Sequence, residues 1–184
     1  MPQVLILTEV QEGMRARYKA MLQERFPQLT INVVMHHNDV GPYIADTEVL
    51  LVHPGGPFWA GKDDHAWSLP KGEFGPDEEP IAAARREFSE ETGFVPDGAP
   101  MDLGIRKHGG KAIHAWAVEG DCDPAAVRSN RFTMEWPPRS GQMRDFPEVD
   151  RAAWFDLETA RQKIHIGQIA FIDALETMLA ARLR

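Results

Sequence analysis

The chain has 184 residues, of which 43% are hydrophobic and 26% are charged, a composition typical of one folded globular domain and not of a disordered or fibrous chain. Its net charge of −8 argues against a broad basic surface, so binding to a nucleic acid duplex or to an anionic membrane is not expected. Cys122 is the single cysteine and no apolar run is long enough to span a bilayer, which together favour a reducing, cytoplasmic location.

The N-terminal segment has the pattern of a β-α-β unit. An apolar run at residues 4–8 has the length of a strand, and residues 12–26 place apolar side chains at helical spacing. Residues 30–35 are rich in β-branched side chains and predict a second strand, and residues 38–46 predict a turn or one short helix. A unit of this kind is normally part of a parallel sheet.

The middle of the chain begins with a predicted strand at residues 48–53. The loop that follows, up to Leu69, is rich in Gly, Pro and aromatic residues and is too long for a simple connection, so we expect it to carry function. Residues 79–91 have the pattern of a helix. Residues 103–108 and 112–119 predict a hairpin that turns at Gly109-Gly110. An irregular stretch at 136–150 precedes a short predicted strand at 153–155, and the segment from Ile169 to Leu183 predicts an amphipathic helix.

Residues 72–94 contain the side chains best suited to chemistry. A helix that ends at Gly93 would place Glu87, Glu90 and Glu91 on one face, because they are spaced i, i+3 and i+4. Like charges at this spacing repel by a few tenths of a kcal/mol per pair, so stability alone would not select them. A compensating cation is expected, and carboxylate oxygens suit Mg²⁺ or Mn²⁺.

The same segment resembles the Nudix box without a departure. That pattern is Gly, five residues, Glu, seven residues, Arg-Glu-apolar, one residue, Glu-Glu, one residue, Gly-apolar. Here it falls on Gly72, Glu78, Arg86, Glu87, Phe88, Glu90, Glu91, Gly93 and Phe94. Residues 67–72 (WSLPKG) resemble the lead-in of Nudix enzymes that act on nucleoside triphosphates or dinucleoside polyphosphates, and residues 148–157 resemble the segment that closes the domain. The resemblance implies an α/β fold, a Nudix α/β/α sandwich with a mixed β-sheet, over residues 47–184.

The segment before this domain resembles a different family. Residues 2–46, through VLILTE and DVGPYIAD, resemble the opening of the substrate domain of D-2-hydroxyacid dehydrogenases. A dehydrogenase would need a G-x-G-x-x-G fingerprint after a strand, and this sequence has none. We therefore interpret residues 1–46 as a structural substitute or a fused fragment, natural or engineered, and not as a second active site.

The Nudix resemblance implies metal-dependent hydrolysis of a diphosphate bond in a nucleoside di- or triphosphate type of substrate. Glu87 and Glu91 are the implied primary ligands of Mg²⁺ or Mn²⁺, and the carbonyl of Gly72 is a further candidate ligand. Glu90 would ligate directly, ligate through water, or act as general base. Arg86 would orient the glutamates by ion pairing.

Several assignments stay open at this stage. Glu148 and Glu135 are alternatives to Glu90 as general base, and Glu78 would either buttress the loop or bind metal. Lys71, directly before the box, is expected to contact the phosphate chain. Trp116 and His114 lie on the same face of the predicted strand, because side chains two residues apart point the same way. Trp116 is a candidate for stacking on a base, as are the two aromatic residues of the long loop. The stacking candidates are Phe58, Trp59 and Trp116.

The substrate and the activity itself also have alternatives. Dinucleoside polyphosphate members of the family have a tyrosine beyond the box, whereas Tyr18 and Tyr43 precede it, which weakens that reading. The alternative to an enzyme is a non-catalytic or impaired binding module on a Nudix scaffold, including a chimeric chain with a disturbed sheet. The expected partner is a small-molecule nucleotide, and unpaired strand edges in the N-terminal segment would favour a homodimer.

Overall fold

The structure is a computed structural model, and it describes residues 3–7, 24, 30–34 and 47–182. The chain divides into two compact units, one formed by residues 48–175 and the other by residues 1–47 together with 176–184. No helix within the described residues is long and apolar enough to cross a membrane.

Two strands are described in the N-terminal segment. Strand β1 (Gln3–Leu7) pairs in parallel with β2 (Thr30–Val34), as expected for the strands of a β-α-β unit. Apart from Glu24, which is helical, the helix predicted between them lies outside the described residues, as does the turn predicted at 38–46.

The larger unit is organised around the antiparallel pair β3 (Glu48–Pro54) and β8 (Val149–Asp156). Two isolated β-bridges attach the segment of Trp67 and Ser68 to its neighbours. Ser68 pairs antiparallel with Val52 of β3, and Trp67 pairs in parallel with Ile164. The bridged residues are buried, so this junction belongs to the core. Strand β8 is longer than the predicted strand at 153–155, because its first half carries exposed polar side chains that hide the pattern.

Two further hairpins complete the strands of this unit. Strands β4 (Pro100–His108) and β5 (Lys111–Val118) pair across Gly109 and Gly110, as predicted. Both glycines have positive φ, 59° and 81°, which a two-residue turn of this kind requires. The second hairpin joins β6 (Arg131–Glu135) and β7 (Met143–Pro147). The prediction of an irregular stretch over 136–150 was therefore wrong for β7 and for the start of β8.

Three α-helices are described: α1 (Pro80–Thr92), α2 (Leu157–Lys163) and α3 (Ile169–Arg182). Pro80 occupies the first turn of α1, and Gly93 ends the helix at φ 79° with its N–H on the carbonyl of Ser89. Asp156 caps α2 by accepting a hydrogen bond from the N–H of Thr159, at 2.8 Å.

The core of the larger unit is built from β3, the Trp67 segment, α2 and the first half of α3. Its largest fully buried apolar side chains are Leu51, Val52, Ile164, Phe171 and Ile172. Trp67 lies edge-on to two neighbouring rings, with centroids 5.2 Å from His53 and 4.9 Å from Phe155. This packing fixes the two ends of the long loop, at His53 and at Trp67, on the same core.

Candidate active site

Arg86 stands at the centre of the acidic face of α1. Its Nε and Nη2 donate to the two carboxylate oxygens of Glu78, at 2.9 and 3.1 Å. Its Nη1 donates to Glu87 at 2.7 Å and to Glu90 at 3.2 Å. These hydrogen bonds lower the pKa of Glu78 and raise the pKa of Arg86 above its ordinary value. One guanidinium therefore orients three glutamates, and Glu78, in the loop before α1, is bound to it through both carboxylate oxygens.

Glu91 has a different environment from the other glutamates of the helix. Burial raises the pKa of its carboxyl group to about 7, and the nearby carboxylates of Glu87 and Glu148 add to the rise. Lys71 opposes the rise through its charge and through its backbone N–H, which donates to Glu91 Oε2 at 3.1 Å. Glu91 is thus a partly buried carboxylate near two like charges, and the effect of its burial on the pKa exceeds the opposing effect of Lys71.

Gly72 lies against the carboxylate of Glu87. A Cβ built on Gly72 would stand 1.8 Å from Glu87 Cδ and 1.9 Å from its Oε2, far inside van der Waals contact. The glycine is therefore required by the position of that carboxylate, and no side chain fits between them. This close approach explains physically why the loop has glycine at the first position of the box.

A ladder of backbone hydrogen bonds connects Glu148 with the C-terminal turn of α1. Asn130 donates its N–H to the carbonyl of Glu90 at 3.2 Å, and Glu148 donates its own to the carbonyl of Asn130 at 2.9 Å. The carbonyl of Glu148 in turn accepts from the N–H of Gly55 at 2.8 Å. Since both backbone groups of Glu148 are bonded, its exposed side chain projects from a fixed point beside the box helix.

The carboxylates on the acidic face of α1 are the candidate ligands of a divalent cation. Within the described part of the chain, no three His, Cys, Asp or Glu side chains converge closely enough to enclose a metal ion as they stand. Arg86 instead holds Glu87 and Glu90 in direct ion pairs. The donor type is right, because carboxylate oxygens are the ligands that Mg²⁺ and Mn²⁺ prefer, and burial raises the pKa of Glu91, with the charges of Glu87 and Glu148 adding to the rise. The residues present therefore fit a hard divalent cation.

The predicted substrate-binding residues lie on three elements. Lys71 is exposed and is joined to the box helix through its backbone bond to Glu91. In the long loop, Phe58 is 55% exposed and Trp59 is half-buried beneath the ammonium of Lys62, 4.8 Å from its ring centroid. Trp116 on β5 is half-buried and one of its faces is covered by His114, with 3.8 Å between ring centroids.

Glu135, the other alternative for the general base, is engaged within the β6–β7 hairpin. Its Oε1 accepts a hydrogen bond from the N–H of Gly141 at 2.6 Å. The carboxylates that raise the pKa of Glu91 most are instead those of Glu87 and Glu148. The electrostatic coupling thus favours Glu148 over Glu135 as a group of this site.

Two contacts of the long loop were missed in the sequence. Trp136 meets Phe58 edge-on, at 5.3 Å between ring centroids, and Asp150 meets the buried His53, at 2.8 Å from Oδ1 to Nδ1. Both pairs join residues far apart in the chain, so no local pattern reports them. The only sequence signal was indirect, a loop and a late irregular stretch that are each rich in aromatic and proline residues.

Comparisons with known proteins agree on one family. The family model of the NUDIX domain matches residues 35–175 of this chain. The chain is also similar to the RNA pyrophosphohydrolase of Bartonella henselae, with 29% identity over 147 residues that cover 64% of this chain and 79% of the relative. The family match includes Gly72, all of α1 and Glu148, which are the residues that the geometry brings together.

Proposed function

This chain belongs to the NUDIX hydrolase family, and from that premise we propose that it is a divalent-metal-dependent pyrophosphohydrolase acting on a nucleoside polyphosphate. The observation that carries the proposal is the placement of Glu91, a partly buried carboxylate that accepts the N–H of Lys71 and lies near the carboxylates of Glu87 and Glu148. A helix face that only contacts solvent has no need to bury a carboxylate. At a cation site, the bound cation compensates the negative charge of the buried carboxylate.

We assign the cation to Glu87, Glu90 and Glu91, with the Gly72 carbonyl as a further candidate ligand. When bound, Mg²⁺ or Mn²⁺ would offset the negative charge of the phosphate chain and acidify the attacking water. Arg86 keeps two of these carboxylates, Glu87 and Glu90, on the same face of α1 as Glu91.

The remaining groups act on substrate and protons. Lys71 would hold the phosphate chain by its ammonium while its backbone N–H fixes Glu91. Glu148 would take the proton of the attacking water, because it is exposed, fixed through its backbone and close enough to Glu91 to affect its charge. Three aromatic side chains are proposed to hold the base: Phe58, Trp59 and Trp116.

The proposed substrate class is a nucleoside 5′-triphosphate, free or at the end of an RNA strand, with dinucleoside polyphosphates as the second choice. The WSLPKG lead-in supports the class, and the name of the Bartonella henselae relative supports the RNA end as a member of it. An exposed single-stranded end is compatible with the acidic net charge of −8, because it needs only local contacts to the phosphates.

We also propose that residues 47–184 form the hydrolase domain and that residues 1–46 are an added segment. The compact unit of residues 48–175 contains every element of the candidate site, and the family match ends at the same residue, 175. The match begins at residue 35, so the family pattern already starts before this boundary.

The experiment that tests the function is a substrate panel with Mg²⁺. It comprises nucleoside triphosphates, dinucleoside polyphosphates, nucleotide sugars and a 5′-triphosphorylated RNA oligonucleotide, each followed by release of phosphate or pyrophosphate. We expect metal-dependent release of pyrophosphate from the triphosphate ends. Folded protein that turns over none of these compounds, with either Mg²⁺ or Mn²⁺, would instead support the non-catalytic binding module.

Metal binding has a second, activity-independent consequence. Millimolar Mg²⁺ or Mn²⁺ is expected to raise the melting temperature, because a ligand at ten times its Kd stabilises the folded state by roughly 1.4 kcal/mol, or a few degrees. Differential scanning fluorimetry with and without EDTA measures the shift. A shift of equal size in Glu91→Gln would place the bound cation elsewhere.

A further inference from the structure

His53, at the end of β3, is fully buried and hydrogen-bonded at both ring nitrogens. Its Nδ1 lies 2.8 Å from Asp150 Oδ1, and its Nε2 lies 3.0 Å from the carbonyl oxygen of Lys62. Its neighbours on the strand, Leu51 and Val52, are buried aliphatic residues, whereas His53 brings two polar ring atoms into the core. The histidine therefore contributes something that packing alone does not require.

The chemistry of the two partners determines how the ring is held. A carbonyl oxygen only accepts, so Nε2 must donate to Lys62. At Nδ1 a single proton lies between the ring and the carboxylate of Asp150, whichever of them carries it. Arg151 faces the same groups, with Nη2 3.2 Å from the Lys62 carbonyl and Nε 3.6 Å from Asp150. His53 thus links two segments of the chain through a hydrogen bond at each ring nitrogen.

Each bridged segment carries groups of the candidate site. Lys62 closes the part of the long loop that contains Phe58 and Trp59. Asp150 follows Glu148 by two residues, and the Glu148 carbonyl is bonded to the N–H of Gly55, again in the long loop.

Gly55 shows how closely the two segments approach one another. A Cβ on Gly55 would stand 2.0 Å from the carbonyl oxygen of Pro147, which directly precedes Glu148. The two segments are therefore in direct contact, and the Gly55–Glu148 hydrogen bond and the two bonds of His53 oppose their separation.

We propose that His53 is a positioning residue for the hydrolysis. It holds the segment of Glu148 through Asp150, and it holds the long loop, which carries Phe58 and Trp59, through Lys62. The inference rests on the proposed function in assigning Glu148 to proton transfer and the loop to the base. The two ring nitrogens then serve different steps. The bond from Nδ1 to Asp150 serves turnover, and the bond from Nε2 to Lys62 serves substrate binding.

Two substitutions separate these sides. Asparagine places its amide near Nδ1 of the histidine, and glutamine places its amide near Nε2. His53→Gln keeps the bond to Lys62 and loses Asp150, so kcat is expected to fall about tenfold with KM changed less than about threefold. His53→Asn keeps Asp150 and loses Lys62, so KM is expected to rise about tenfold with kcat nearly unchanged.

A third variant guards against failure of both histidine variants to fold. Asp150→Ala changes a partly exposed side chain and is expected to reproduce the loss of kcat seen in His53→Gln. Asp97→Ala, at another exposed aspartate, is the matched control and is expected to leave both constants unchanged. If kcat falls in all three variants only in proportion to the loss of folded protein, and KM stays unchanged in His53→Asn, His53 serves packing only.

Amide hydrogen exchange provides a readout that does not depend on turnover. In His53→Gln the amides of Gly55 and Glu148 are expected to exchange faster, while the amides of Leu51 and Val52 on β3 keep their protection. If the wild-type protein hydrolyses nothing in the panel, the proposed function fails, and these amides alone decide whether His53 positions the segment. Unchanged exchange at Gly55 and Glu148 would overturn the inference.

Discussion

Replacing Glu91 with glutamine is expected to lower kcat on the order of a thousandfold and to leave the protein folded. The side chain keeps its size and keeps an oxygen that accepts the N–H of Lys71, so the local structure survives. What is lost is the negative charge that, on our assignment, binds the cation. Glu79→Gln is the matched control, because Glu79 lies at the start of the same helix and makes no side-chain capping bond.

The same variant is expected to be more stable than the wild type in the absence of metal. The folded-state pKa of Glu91 is raised from 4.5 to about 7, so its protonated form favours the folded state at low pH. That advantage is lost as the pH rises from about 4.5 through about 7, because the buried carboxylate must then ionise among like charges. Glutamine avoids this loss.

Chemical denaturation in EDTA measures the effect. At pH 8 the free energy of unfolding of Glu91→Gln is expected to exceed that of the wild type by roughly 1–3 kcal/mol, and at pH 4 the two should agree. A variant that is less stable at pH 8 would show that the ionised carboxylate is satisfied in the apo protein. Retention of full activity would remove Glu91 from the metal site altogether.

Local sequence patterns predicted the box helix and its ends correctly. Pro80 and Gly93 occupy the first turn and the stop of α1, and the Gly109-Gly110 turn joins β4 to β5, because each depends on the backbone preferences of the residues themselves. The β6–β7 hairpin was missed because its local signal is weak. RFTME does alternate polar and apolar residues, but a run of five residues is too short to stand out, and its partner MRDFP does not alternate.

The candidate site was predicted only in part, because part of it is long-range. The spacing of Glu87, Glu90 and Glu91 is local and could be found in the sequence. The coupling of Glu148 to Glu91 depends on hydrogen bonds through Asn130, and no periodicity encodes it. The resemblance to the family suggested Glu148 as an alternative, and the geometry gives the physical reason to prefer it.

Gly72→Ala is expected to separate the effects on catalysis and on stability. The added Cβ would overlap the carboxylate of Glu87, which must leave its place against the loop and break its 2.7 Å bond with Arg86. Because that carboxylate is the end of a flexible side chain, the backbone need not move, and the loss of stability is expected to stay within about 1 kcal/mol. The kcat is expected to fall about a hundredfold, because Glu87 no longer stands where the cation is bound.

Steady-state kinetics and denaturant titration of the same preparations test this separation. Gly75→Ala is the matched control in the same loop, since a Cβ there meets nothing within 4 Å, and it is expected to retain activity. The double variant Gly72→Ala/Glu87→Asp provides a stricter test, because the shorter acid leaves room for the new methyl group and should recover part of the lost kcat. If Gly72→Ala is fully active, the carboxylate of Glu87 works equally well away from Gly72, and its observed place against the glycine has no part in holding the cation.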